Sequence, residues 1–158
     1  REGIVVNIRI QRLAPEQEIP YDLLLLADPN KELVDDYLGR GHCYVALMDD
    51  VTVGEFVLIR THPQTVEIVN IAVKEEYQGR GIGKALVLRA IEEAKAMNAR
   101  TIEIGTANSS FTQLALYQKC GFRIVGVDPD FFIRNYDEEI YENGIQVRDM
   151  IRLRMVLE

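Results

Sequence analysis

Gln78-Gly79-Arg80-Gly81-Ile82-Gly83-Lys84 stands between an apolar run, 66–73, and a stretch of helical periodicity, 81–97. Glycines let successive backbone N–H groups turn toward one anion, and a helix start adds partial positive charge, so a phosphate can be held here without a large side chain. The same spacing also serves a tight strand-to-helix turn that binds nothing. Two familiar phosphate loops do not fit. A Walker A loop needs Gly where Gln78 stands and Ser or Thr where Ala85 stands, and a dinucleotide fingerprint needs Gly where Lys84 stands.

Outward from the loop, 66–73 is apolar except for Glu67 and Asn70, as expected for a strand covered on both faces near a sheet centre. Ile82, Leu86, Ala90, Ala94 and Met97 recur at helical spacing. Upstream, alternation at Ile4, Val6, Ile8 and Ile10 predicts a first strand ended by Gln11. Short helices over 23–27 and 32–38 are split by Asp28-Pro29-Asn30, because proline disfavours helix in the residue before it. Strands over 44–48 and 53–59 flank Asp49-Asp50 as a hairpin with an acidic turn, and His62-Pro63-Gln64 turns the chain into the 66–73 strand. Downstream come a strand over 101–106 and a helix over 111–120, with Ser110 and Gln113 as a capping box and Gly121 as the stop. Strands over 123–127 and 150–157 follow, separated by a loop, 128–149, long enough to have a function of its own.

Gln78, Gly81 and Gly83 fit the acyl-CoA loop of the GNAT superfamily of N-acetyltransferases: Gln or Arg, two residues, Gly, one residue, then Gly or Ala. Glu67-Ile68-Val69-Asn70-Ile71-Ala72-Val73 resembles that family's fourth strand, and Leu116-Tyr117-Gln118-Lys119-Cys120-Gly121-Phe122 its closing helix and turn. The resemblance implies a single α/β (α+β) domain over 1–158, with a mixed, mostly antiparallel sheet of about seven strands flanked by about four helices and splayed between strands four and five. It implies acetyl-CoA as cosubstrate, with the pyrophosphate on backbone N–H groups from Gln78 through Gly79, Arg80, Gly81, Ile82 and Gly83 to Lys84. The pantetheine arm would pair with the backbone of Ile71, Ala72 and Val73. Lys84 either adds charge near a phosphate or is an exposed helix lysine.

The same resemblance gives Tyr117 the role of general acid, since a neutral phenol can donate to the departing thiolate; the alternative is a place in an apolar stripe with Phe111 and Leu114. Glu67 is the candidate base, directly or through water, and its low reference pKa then has to be raised by burial. Otherwise it binds or orients the amine, or stands on an open sheet face. Asn70 orients the acceptor, the acetyl group or a water, or is a hydrogen-bonded core group. Where the family often has Asn seven residues before the tyrosine, this chain has Ser110, and Asn108 two residues earlier is the substitute for the pantetheine contact. The function implied is transfer of acetyl from acetyl-CoA to a primary amine by direct attack in a ternary complex. A GNAT-fold protein that binds acyl-CoA as a regulatory ligand, without turnover, is the alternative.

Composition sets outer bounds. The 158 residues are 47% hydrophobic, enough for one core without disulfides or a structural metal. Cys43 and Cys120 lack paired or zinc-type spacing and are expected to be reduced and buried. A net charge of −7 opposes binding to nucleic acid, and no apolar run approaches the roughly 20 residues of a membrane span, so a cytoplasmic protein, monomer or homodimer, is expected. Arg1 in place of an initiator methionine is expected for a processed or tagged end. The acidic and aromatic residues of 128–149 suit either a small cationic amine or peptide amino group as acceptor, or a solvated loop packed by its own rings.

Overall fold

A computed structural model describes residues 7–158. Its main sheet is built from β1 (Arg9–Arg12), β2 (His42–Met48), β3 (Val51–His62), β4 (Thr65–Val73), β5 (Thr101–Ala107), β6 (Arg123–Asp128) and β9 (Met150–Val156), in the order β1-β2-β3-β4-β5-β9-β6. Every pairing is antiparallel except β4 with β5, whose crossover is the helix α3 (Ile82–Ala96). The remaining helices are α1 (Tyr21–Ala27), α2 (Lys31–Arg40), α4 (Phe111–Lys119) and α5 (Phe131–Asn135). This is the mixed, mostly antiparallel sheet expected, with one more helix than the periodicity indicated.

Sheet faces follow from strand alternation. Phe56, Leu58, Val66, Ile68, Ile102, Ile104 and Leu153 pack against the buried stripe of α3, Ile82, Leu86, Val87, Ala90, Ile91 and Ala94. On the opposite face Val57 and Ile59 pack under α1 and α2 with Leu24, Val34 and Tyr37. Each large aliphatic side chain so buried contributes about 1.5–3 kcal/mol. The second face is covered only in part. Thr65, Glu67, Thr101, Glu103, Arg152 and Arg154 line an open recess on it, so β4 is an interior strand but not the doubly covered one expected. The reason is length: α1 has seven residues and does not extend over that end of the sheet.

β4 departs twice from a regular strand. Asn70 pairs with Val57 and Ile68 with Leu58, so Val69 is an extra residue and the strand bulges there. The bulge turns Ile71 and Val73 back to the α3 face while Asn70 looks toward α1 and α2. The parallel ladder with β5 runs from Thr65↔Thr101 to Ile68↔Ile104 and goes no further. Beyond it β4 and β5 splay, as the resemblance implied.

Other expectations are corrected. The first strand was expected over 4–10; Ile4 and Val6 lie outside the described residues, and the strand runs past Gln11, which pairs with Val45. Ser110 precedes α4, but its hydroxyl donates to Glu142 Oε1 at 2.6 Å, so no capping box forms. The 128–149 loop is a folded strap, containing α5 and a two-residue-per-strand hairpin, β7 (Tyr141–Glu142) and β8 (Ile145–Gln146). The acidic hairpin turn is as expected: Asp49 and Asp50 both take positive φ, 50° and 68°, which matches the twist of the strands they join.

Candidate active site

The splay, the start of α3 and the end of α4 meet at one place. A Cβ built on Gly83 would lie 3.6 Å from Leu116 Cδ2 and 3.9 Å from Val73 Cγ2. α3 begins after Gly81, which sits at φ 85°, ψ 4°, and Gly79 has φ 79°. No side chain caps the helix and its first turn holds no acidic residue, so its free N–H groups and partial positive charge face outward unopposed. Gln78, Gly79 and Arg80 are exposed around them, as is Lys84. Arg80 lies over the Tyr77 ring, 4.9 Å from its centroid. Gln78 Nε2 donates to the Val73 carbonyl at 3.0 Å, tying the loop to the end of β4.

Tyr117 lies on the α3 side of the sheet, 4% exposed, its ring tilted against Phe122. Burial, with a smaller contribution from Cys120, raises its pKa above the usual phenol value, so the group is a neutral donor. Among the described residues no side-chain hydrogen bond reaches its hydroxyl. Glu67 is on the other face, its side chain 18% exposed, with Arg152 Nη1 3.7 Å from Oε2. Desolvation raises its pKa, Arg152 opposes the rise and Glu103 adds to it. This is the direction a base requires. Tyr117 and Glu67 therefore stand on opposite faces of the sheet, Glu67 within the β4–β5 ladder opposite Glu103.

Asn70 is buried with both amide hydrogens engaged: Nδ2 donates to Leu24 O at 3.0 Å and to the Tyr37 hydroxyl at 2.7 Å. Tyr37 donates on to Asp28 Oδ2, and Asp28 Oδ1 accepts from Tyr136 of the strap at 2.9 Å. A chain of polar groups thus links β4, α2, the turn after α1 and the strap.

Asn108 and Ser110 have their side chains turned to the strap. Asn108 Oδ1 accepts from the backbone N–H of Arg148 and of Asp149, and its Nδ2 donates one hydrogen to Gln146 O, which leaves a single amide hydrogen unengaged. The polar atom without a partner in this segment is Ser109 Oγ, fully buried. Its neighbours carry the family spacing and Ser109 does not, so spacing passes over it. In the strap, Arg134 pairs with Asp128 and Arg148 with Asp130, so much of its acidity is answered internally.

Glu55 belongs to no motif. It is fully buried on β3 with neither carboxylate oxygen hydrogen-bonded, and desolvation raises its pKa well above the ordinary value. The signal in the sequence is alternation: Glu55, Val57 and Ile59 share a face, and one of them is charged. Both cysteines are free thiols, Cys43 buried and pushed up to about 12 by desolvation, Cys120 partly exposed. Among the described residues no cluster of His, Cys, Asp and Glu has metal-site geometry, and no helix is long and apolar enough to cross a membrane.

Comparison with known proteins agrees with this geometry. Residues 9–122 match the family model described as the acetyltransferase (GNAT) family. The chain is 66% identical over 151 residues to YvbK of Bacillus subtilis (strain 168), an uncharacterized N-acetyltransferase, covering 96% of this chain and 97% of that one. A GNAT family acetyltransferase from Elizabethkingia anophelis, solved with acetyl-CoA bound, superposes with a TM-score of 0.94 at 49% identity, over 96% of this chain and 99% of that one. A Bacillus subtilis acetyltransferase in complex with CoA gives a TM-score of 0.92 at 60% identity, over 96% of this chain and all of the other (100%). The fold as a whole is thus shared with close relatives, and this chain belongs to the GNAT acetyltransferase family.

Proposed function

We propose that the chain, acting as one domain over 1–158, transfers an acetyl group from acetyl-CoA to a primary amine by direct attack in a ternary complex. The observation that carries this is the splay beyond Ile68↔Ile104, open beside the uncapped start of α3. Crevices at the carboxyl ends of parallel strands are where such folds take phosphorylated ligands. CoA and acetyl-CoA in two relatives of 60% and 49% identity support the choice of cosubstrate.

In this reading the N–H groups of 79–84 hold the pyrophosphate, and the β4 edge at Ile71, Ala72 and Val73 aligns pantetheine. Ser109 Oγ, rather than the side chains of Asn108 and Ser110, is the hydroxyl left for the thioester arm. The amine approaches from the face of Glu67 and Asn70, and Glu67 accepts its proton directly or through water. Nitrogen attacks the thioester carbon, the tetrahedral intermediate collapses, and Tyr117 donates to the departing sulfur. Cytoplasmic location, with the protein a monomer or homodimer, completes the proposal. It is tested by CoA release from acetyl-CoA across a panel of small amines and peptides with free amino termini. CoA binding without release for any amine would leave an acyl-CoA-binding protein instead.

The Glu67 environment gives a signed pH prediction. Its raised pKa places the acid limb of kcat/KM above the ordinary carboxylate range, with activity rising as the base loses its proton. Arg152→Met removes a cation that favours the charged form, so the limb should move to higher pH, whereas Glu67→Gln should abolish that limb. A limb unmoved by Arg152→Met would exclude Glu67 as its source.

A further inference from the structure

Glu67, Glu103, Arg152 and Arg154 face one another in the open recess on the second sheet face. They form two pairs of different character. Arg154 stands opposite Glu103 across β9 and β5, and its Nε donates to Glu103 Oε2 at 2.8 Å, a closed, charge-assisted bond. Arg152 stops 3.7 Å from Glu67 Oε2, beyond hydrogen-bond reach, and among the described residues its guanidinium donates to nothing. The recess thus holds one satisfied pair and one pair with room between its charges. A planar fork of N–H donors is left for another acceptor.

The open pair is the one nearer the splay. Arg152 is opposite Gly105, the first β5 residue past the end of the parallel ladder at Ile68↔Ile104, and alternation puts Gly105 on the face of Glu103. Gly105 supplies no side chain there, and a Cβ on it would meet the Met150 thioether, a flexible neighbour. Both Glu67 and Arg152 line the open recess, so a ligand reaches them without displacing packed core. A ligand that bridges them needs an amine for Glu67 and an anion for Arg152, close together because the two protein groups are. The two carboxylates of the recess oppose a dianion such as phosphate, and one guanidinium fork matches one carboxylate.

We propose that the acetyl acceptor is a free α-amino acid, its carboxylate held by the Arg152 fork while its amino group is presented to Glu67. The inference rests on the N-acetyltransferase reading and names its substrate class. Fixing the carboxylate fixes the nitrogen on the adjoining carbon. A peptide amino terminus, with an amide in place of that carboxylate, lacks the anchor. Acetyl transfer then yields the N-acetylamino acid, the free CoA thiol and one proton, which the ammonium leaves on Glu67.

The test measures kcat/KM for a panel of L-amino acids and their amides, which keep the size and the amine but lose the negative charge. The amine of an amide is the less basic, so more of it is unprotonated near neutral pH and the comparison is weighted against the proposal. The best accepted amino acid should exceed its amide by about tenfold or more in the wild type, mainly through KM. In Arg152→Met, assayed above the acid limb, that ratio should fall toward one, and Arg152→Lys should keep part of it, having the charge but not the fork. An amide used as well as its acid by the wild type, a comparison that needs no variant, overturns the anchor. So does an undiminished ratio in folded Arg152→Met. Acetylation of other amines but of no amino acid also overturns it and leaves acetyl transfer standing, whereas absence of CoA release with every amine fails both.

Discussion

Tyr117→Phe should lower turnover by about 10²-fold or more while acetyl-CoA still binds, as expected when a positioned acid is removed. A hundredfold loss corresponds to about 2.7 kcal/mol of barrier. The control is built into the packing. The ring is buried against Phe122, and no hydrogen bond to the hydroxyl is found among the described residues, so removing one oxygen should change stability by less than about 1 kcal/mol. A large fall in kcat with an unchanged melting temperature therefore reads chemistry and not folding. A near-wild-type kcat would reject the acid role, and a rise confined to the KM for acetyl-CoA would reassign the hydroxyl to cosubstrate binding.

Gly81→Val is expected to have the second large effect. With φ at 85°, position 81 is in the left-handed region, where a β-branched residue costs about 1–2 kcal/mol or more, and a side chain there also obstructs close approach of a phosphate. Losing one or two charge-assisted contacts should weaken CoA binding by about 10- to 100-fold, read by calorimetry on the folded fraction. Gly81→Ala, with less strain, should show a smaller loss in the same direction. Unchanged affinity in both would remove the cradle at the start of α3.

Much of the fold is legible because alternation and periodicity agree with packing. Phe56 and Leu58 against Val57 and Ile59 assign two faces of β3 directly, and Ile82, Leu86, Ala90 and Ala94 lie along one side of α3. The Val69 bulge is not legible, because Ile68, Val69 and Ile71 are all aliphatic and any register of them reads alike. Nor is α5, since five residues are too few for a 3.6-residue period to appear. At the candidate site, Glu67, Tyr117 and the glycine loop are proposed from the sequence because their chemistry stands in a recognisable order. Asn108 and Ser110 illustrate the limit: both have suitable chemistry, but partners 32 to 41 residues away in the strap determine where their side chains point.

The strand order also bears on the protein's birth. β1 to β4 form a run of neighbours in both chain and space, and α3 brings β5 to its place beside β4. Among the described residues, however, β6 pairs only with β9, which is made after it and inserts between it and β5. During synthesis on the ribosome β6 thus emerges before any strand it can pair with, and β5 waits with one bare edge, a state prone to faulty association. Losing 150–156 would cut the bond between two parts of the sheet, and a nascent chain halted just short of β9 should need chaperone protection until that strand is released.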